Sequence, residues 1–165
     1  MITAATPGSG VLECRDDRRY PAARRSSEAR QQPMKVIINI DVPELAPAIA
    51  FYTAALGLAH SRTLDGDVAE LTGASATLYL LQKDPGTPAV QSPLVERDYH
   101  RHWTPVHFDL VVPDVEAAAA RAVAAGARRE TRNIHWHGSH CISFGDPFGH
   151  GFCFIQFERL ATYED

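Results

Sequence analysis

The chain repeats itself, and that restricts its fold more than any single motif does. Lys35–Val42 reads K-V-I-I-N-I-D-V, and Pro105–Val112 reads P-V-H-F-D-L-V-V. Each run is followed by proline and an acid, Val42-Pro43-Glu44-Leu45 against Val112-Pro113-Asp114-Val115. Both then lead into alanine-rich segments that stop at glycine, Leu56-Gly57 and Ala125-Gly126. The copies are offset by about 70 residues throughout, and two units of that size fill the chain from Lys35 to its end.

The local chemistry predicts a strand, a helix and three more strands in each copy. β-Branched and aromatic residues alternate with smaller or polar ones in the opening runs, as half-buried strands require. Asp114 predicts an N-cap for the helix through Ala125, and Gly126 a left-handed stop. Pro47 falls in the opening turn of the first helix, where its missing N–H needs no partner; Ile49, Phe51, Tyr52 and Leu56 then form an apolar face. Later strands are expected at His60–Asp65, Val68–Thr72 and Thr77–Lys83, with Asp65-Gly66-Asp67 as a tight hairpin turn. Their counterparts are Arg128–Ile134, His140–Phe144 and His150–Glu158, with Asp146-Pro147-Phe148-Gly149 turning into the last. Residues 34–83 are thus expected as a first βαβββ module and 104–165 as a second, joined by a Pro-, Gly- and charge-rich linker, Asp84–Trp103. The expected class is α+β: two tandem modules forming one curved mixed sheet, helices on its outer face and a cup on the other.

Residues 1–33 differ in kind. Arg15, Arg18, Arg19, Arg24, Arg25 and Arg30 stand among Gly, Ser, Pro and Ala with little periodic apolar content, which predicts a disordered leader. It has no apolar stretch for a secretory signal, and Glu13, Asp16, Asp17 and Glu28 count against an organellar transit peptide. Met34 directly precedes the first strand and is an alternative start to Met1. A formal charge of -4 offers no electrostatic case for nucleic acid or an anionic membrane as partner. No apolar run approaches the roughly 18 to 20 residues that span a bilayer. Three cysteines, Cys14, Cys141 and Cys153, are too few for a disulfide framework and predict free thiols in the cytoplasm.

Alternate strand residues point to opposite faces, which sorts the candidates. Ile38, Ile40 and Val42 share one face of the first strand, as do Phe108, Leu110 and Val112 of its counterpart. These uniformly apolar faces suit packing against the helices. Asn39, Asp41, His107 and Asp109 then look into the cup, the default place for a ligand.

Val42-Pro43-Glu44-Leu45 with Phe51-Tyr52 and Leu56-Gly57-Leu58, His107 to Asp114, and Asp146-Pro147-Phe148-Gly149-His150 together resemble the vicinal oxygen chelate superfamily of glyoxalases, bleomycin-resistance proteins and extradiol dioxygenases. They look like its two strand–helix units and the Asp-Pro-x-Gly-Asn turn before its final strand. The likeness runs from Lys35 to Phe157. Because this fold hosts isomerases, dioxygenases, thiol transferases and drug-binding proteins, it does not fix a reaction. The resemblance carries the four ligand positions of metal-binding members onto Ile37, Tyr79, His107 and Cys153. Only His107 is a usual ligand there. Ile37 cannot bind a metal, Tyr79 is a poor ligand for a hard ion, and Cys153 stands where magnesium, manganese or iron would want a carboxylate. The expectation is no cofactor, with a divalent metal only if Asp109 or Asn39 joins His107 in a rebuilt site.

The expected ligand-binding residues are Ile37, Asn39, Tyr79, His107, Asp109, Cys153 and Ile155. The catalytic candidates are His107, with Asp109 to hold its imidazole, and Cys153 if that imidazole reaches its thiol. Structural roles compete for each: a hydrogen-bonded histidine, a small buried thiol, a packing tyrosine. His100 with His102, and His135 with His137 and nearby His140, have the form of chelating pairs, but lacking a third ligand at fixed spacing they are expected at the surface or cavity rim. Trp103, Trp136, Phe144 and Phe148 are candidate cup walls. The expected function is to bind a hydrophobic or aromatic small molecule without the standard metal site. One alternative is a metal-independent lyase or isomerase using His107 as general acid/base, and another is a divalent-metal lyase or dioxygenase rebuilt around His107. A homodimer, frequent among the proteins it resembles, is compatible and not required.

Overall fold

A computed structural model describes residues 34–102, 104–159 and 162–163. The expected leader and Trp103 lie outside the described residues. The first copy forms β1 (Ile37–Val42), α1 (Leu45–Leu56), β2 (Ala59–Leu64), β3 (Val68–Thr72) and β4 (Thr77–Gln82). The connection holds β5 (Pro88–Gln91) and β6 (Leu94–Glu96). The second copy forms β7 (Phe108–Val111), α2 (Val115–Ala124), β8 (Arg128–Arg129), β9 (Ile134–Trp136), β10 (Ser139–Gly145) and β11 (Gly151–Phe157).

The repeat is visible strand by strand. One sheet runs β1-β4-β3-β2 and the other β7-β11-β10-β8, with β1 parallel to β4 and β7 parallel to β11. Asn39 lies opposite Tyr79, and Asp109 opposite Cys153. The repeat extends to side chains that close the helices. Gln82 Oε1 accepts from the Leu45 N–H at 3.1 Å, and Gln156 Oε1 accepts from the Val115 N–H at 2.9 Å. Each closing strand thereby satisfies one of the unpaired donors at the start of its own helix. Asp114 adds the expected cap, accepting from the Ala117 N–H at 2.9 Å, whereas Glu44 makes no side-chain cap. Between β2 and β3, Asp65 and Gly66 take left-handed φ values of 49° and 86° in a tight turn that the Asp67 N–H closes on Leu64 O at 3.2 Å.

Three expectations change. The strand expected over Arg128–Ile134 is broken into β8 and β9, which share one edge of β10. Thr131 Oγ1 takes the Ser143 N–H at 2.9 Å in place of a ladder carbonyl, so a side chain interrupts the pairing. The linker carries its own hairpin: Val90 and Val95 sit opposite each other, and Arg97 ties the hairpin to β1 through Asp41 Oδ2 at 2.7 Å and to Pro88 O at 2.6 Å. Finally, the curved sheet is built in two pieces, since among the described residues no ladder joins β1 to β7.

What joins the copies is the helix side. Ile40, Val42, Leu78 and Leu80 from the first sheet and Ile142, Phe144, Phe152 and Phe154 from the second are buried with Ala48, Tyr52, Ala118 and Ala122 of the helices in one core. Ile38, Phe108, Leu110 and Val112 are partly buried against this core, so the apolar faces of both opening strands turn toward it, with Ile38, Ile40 and Phe108 also bordering a cavity. Phe148 stacks on Tyr52 with ring centres 6.2 Å apart and meets Phe51 edge-on at 5.9 Å. Burying each such aromatic is worth roughly 1.5–3 kcal/mol. Tyr52 Oη also donates to Asp146 Oδ2 at 2.5 Å, and Arg121 Nε donates to Ala55 O at 3.1 Å. Among the described residues no helix is long and apolar enough to cross a membrane.

Candidate functional site

Asp146 begins the turn between β10 and β11 and organises it. Its Oδ1 accepts from the backbone N–H groups of Phe148 and His150, each at 2.8 Å, while Oδ2 takes the Tyr52 hydroxyl and His150 Nδ1 at 2.8 Å. Burial pushes this carboxyl up, but the His150 hydrogen bond and charge, joined by Tyr52, outweigh it and hold it below the ordinary value. Burial in turn, with the Asp146 charge, raises the Tyr52 hydroxyl.

The chain preceding β7 lies over this turn. An added Cβ at Gly149 would come within 2.8 Å of Tyr99 O and His100 O. Arg101 then runs across Gly145 and Gly151, which face each other in the β10–β11 ladder. A Cβ at Gly151 would fall 2.6 Å from Arg101 Nη2, and one at Gly145 would fall 2.8 Å from Glu130 Oε1. Arg101 is held in this slot by a two-pronged pair with Glu130, Nε to Oε1 at 2.9 Å and Nη2 to Oε2 at 3.1 Å, and by His102 O. The Arg101 guanidinium holds the Glu130 carboxyl below its usual range.

Two cavities share Gly151 in their walls. One, of about 290 Å³, is the more polar of the two and sets Arg101, Glu130, Thr131, Ser143 and Cys153 beside Phe144 and Phe152. The other, about 390 Å³, lies between β1 and the start of β7 and is walled by Ile38, Ile40, Val106 and Phe108, with Asn39 and His150. Thr104, His107 and Gly151 line both. His107 thus stands at the junction of an apolar groove and a polar pocket, one residue before β7 rather than within it. Its Nε2 lies 3.3 Å from Asp109 Oδ1.

The sequence-derived candidates separate here. His107, Asp109 and Cys153 come together, their ligand atoms all within 4.8 Å of one another. Asn39 lines the apolar groove. Ile37 is 57% exposed at the start of β1, and Ile155 is 3% exposed within β11; neither lines these two cavities. Tyr79 belongs to a separate cluster on the first sheet, donating to Glu70 Oε2 at 2.5 Å beside Arg62. The Tyr79 hydroxyl, with Arg62, brings Glu70 down to about 2. Burial pushes the Cys153 thiol up to about 12, with Ser143 Oγ 3.2 Å away, so the sulfur is a neutral thiol at pH 7 and not a thiolate paired with His107. Of the aromatic wall candidates, Phe144 borders the polar pocket, Phe148 belongs to the core, and Trp136 packs on Tyr163 with ring centres 5.0 Å apart. Arg101, Thr104, Glu130, Thr131 and Ser143 were not among the sequence candidates. Glycines within strand runs mark close approach of another group, and Gly145 and Gly151 carried that signal for Arg101.

A family model described as a glyoxalase-like domain matches residues 37–155, most of the chain. The chain belongs to the glyoxalase-like family. Its fold is shared with structures from the same superfamily at low identity. A glyoxalase-related enzyme from Fulvimarina pelagi is 17% identical with a TM-score of 0.59, the match covering 81% of this chain and 99% of that one. A fosfomycin resistance protein from Listeria monocytogenes is 18% identical with a TM-score of 0.59, covering 78% and 99%. A lactoylglutathione lyase from Agrobacterium tumefaciens is 19% identical with a TM-score of 0.56, covering 81% and 100%. No curated protein sequence matches the chain.

The superfamily implies a metal, so the donors in this glyoxalase-like chain decide whether one fits. Ile37 has no donor, the Tyr79 hydroxyl is engaged by Glu70, and Cys153 offers a thiol where a hard ion wants a carboxylate. The standard four-ligand set does not fit this cup.

Proposed function

We propose that this glyoxalase-like protein binds a small molecule with an apolar or aromatic body and a polar end, without the standard metal site. The body would lie in the groove between β1 and β7, against Ile38, Ile40 and Phe108. The polar end would reach His107, Ser143 and the Arg101–Glu130 pair. The observation that carries this reading is the junction at His107, where an apolar and a polar cavity share a wall. The two described cysteines, Cys141 and Cys153, are free thiols, which suits a cytoplasmic location.

A second reading is favoured by the 3.3 Å approach of Asp109 to His107. In it, Asp109 orients the imidazole, which moves a proton on a carbonyl or enolisable substrate. Titration of phenols and aromatic aldehydes by calorimetry, beside turnover assays on the same compounds, tests both. Weaker binding in His107→Ala supports the binding role. Binding retained with turnover lost supports the acid/base role, and neither quantity changing refutes both. A rebuilt metal site rests on the closeness of His107, Asp109 and Cys153 alone, and elemental analysis of protein purified without chelators tests it.

A further inference from the structure

Two histidines that the cup does not use, His135 and His140, form a second cluster on the other side of the sheet. His135 on β9 lies directly opposite His140 on β10, and His140 is also opposite Gln156 on β11. His140 shares strand parity with Ile142 and Phe144 on the helix side, whereas Cys141 and Ser143 point to the cup. The two imidazoles face each other with ring centres 5.1 Å apart. Both aim at one carboxylate oxygen: His135 Nε2 lies 2.8 Å and His140 Nε2 3.2 Å from Glu158 Oε1. Glu158 is fixed from behind, its N–H donating to Gly138 O at 2.9 Å in the β9–β10 turn. His137, two residues from His135, has a φ of 43° and belongs to that turn, so the pairing runs across strands and not along one.

We propose that His135, His140 and Glu158 bind a divalent ion of the zinc class. Two neutral imidazoles and a carboxylate are a donor set that zinc accepts, and three protein ligands leave a fourth position to water. Their ligand atoms all lie within 4.8 Å of one another, with two separations of 2.8 and 3.2 Å. A tetrahedral zinc wants its donors roughly 3.3 Å apart, so adjustments of about an ångström complete the site. The ligands come from β9, β10 and the residue after β11, so the ion would staple the short edge strand β9 to the sheet. Ile134, His135 and Trp136 are all exposed along β9, so the strand is held by its pairing with β10 and not by burial. The site is separate from the cup: its donors share no residue with His107, Asp109 and Cys153.

The test is titration of the chelator-stripped full chain with zinc chloride by calorimetry, and with cobalt chloride by its visible absorption. The account predicts one ion bound with nitrogen- and oxygen-type cobalt bands. His135→Ala and Glu158→Gln each weaken it by more than the roughly 10- to 100-fold that residues merely supporting a ligand cost. His107→Ala and His100→Ala leave it unchanged. Both His135 and Glu158 are at the surface, so these variants fold, and circular dichroism verifies that. Zinc should also slow amide exchange in β9 in the parent and not in His135→Ala. Affinity weaker than about 100 μM, binding untouched by His135→Ala, or binding lost with His107→Ala overturns the proposal.

Discussion

Tyr52→Phe is the perturbation with the clearest calculable cost, because it cuts one bond between the two copies and little else. The Tyr52 side chain is fully buried on α1, and its hydroxyl reaches Asp146 in the turn of the other copy. A hydrogen bond to a charged group contributes about 1.5–3 kcal/mol. Asp146 keeps three other donors, so the lower end applies, about 1.5–2 kcal/mol. For a domain of this size that lowers Tm by about 5 °C. The pH dependence follows from two shifts of opposite sign. The Asp146 carboxyl is held low, so its contribution is present above about pH 4 and disappears as pH falls through the lower folded value. The Tyr52 hydroxyl is held high, so its contribution is complete below about pH 10 and is lost as pH rises through the raised value. The gap between parent and variant is therefore widest near neutrality and closes at both ends. Asp146→Ala costs more, roughly 3 kcal/mol or above, because it strands the hydroxyl and two backbone N–H groups at once. Urea unfolding monitored by circular dichroism across pH measures all of this. A Tyr52→Phe cost below about 0.5 kcal/mol, or a cost independent of pH, would refute the reasoning.

Other outcomes follow from the same structure. Cys153 should react with iodoacetamide at pH 8 about a thousandfold more slowly than an ordinary cysteine peptide, since its thiol sits at about 12 against 9.0; mass spectrometry showing peptide-like rates contradicts this. Tyr79→Phe should let Glu70 titrate above its value of about 2, toward that of a free glutamate, as read by carboxyl carbon NMR. Because Glu70 is depressed in the folded state, its stabilising contribution is present above about pH 4.5 and is lost as pH falls toward 2. Arg101→Ala should raise the Glu130 carboxyl and enlarge the polar pocket while the fold persists, which the same NMR titration and a crystal structure of the variant would show.

The pattern of the repeat was legible because strand parity and helix caps are local physics. Ile38, Ile40 and Val42 pack inward, as alternation requires, and Asp114 caps α2. Val90 and Val95 were hidden in a stretch rich in proline and charge, where composition outweighed a short hairpin signal. The break between β8 and β9 depends on the Thr131 hydroxyl meeting Ser143 across the sheet, which no spacing along the chain reveals. The candidate site was half visible for the same reason. Parity put His107 and Asp109 on the cup face, but whether Tyr79 and Ile37 share that pocket depends on how the two sheets are set beside each other. Arg101 could be reached only through Gly145 and Gly151, whose missing side chains make its slot. His135 and His140 looked like neighbours of His137 along the chain, whereas their partner across space is Glu158.

The central claim is that the groove between β1 and β7 receives a small molecule at His107. Crystals soaked with small aromatic fragments carrying one polar group test it most directly. The account predicts a fragment lying against Ile38, Ile40 and Phe108 with its polar end within hydrogen-bond reach of His107, and no such density in His107→Ala. Fragments that bind only elsewhere, or that occupy the groove equally well without His107, would contradict it.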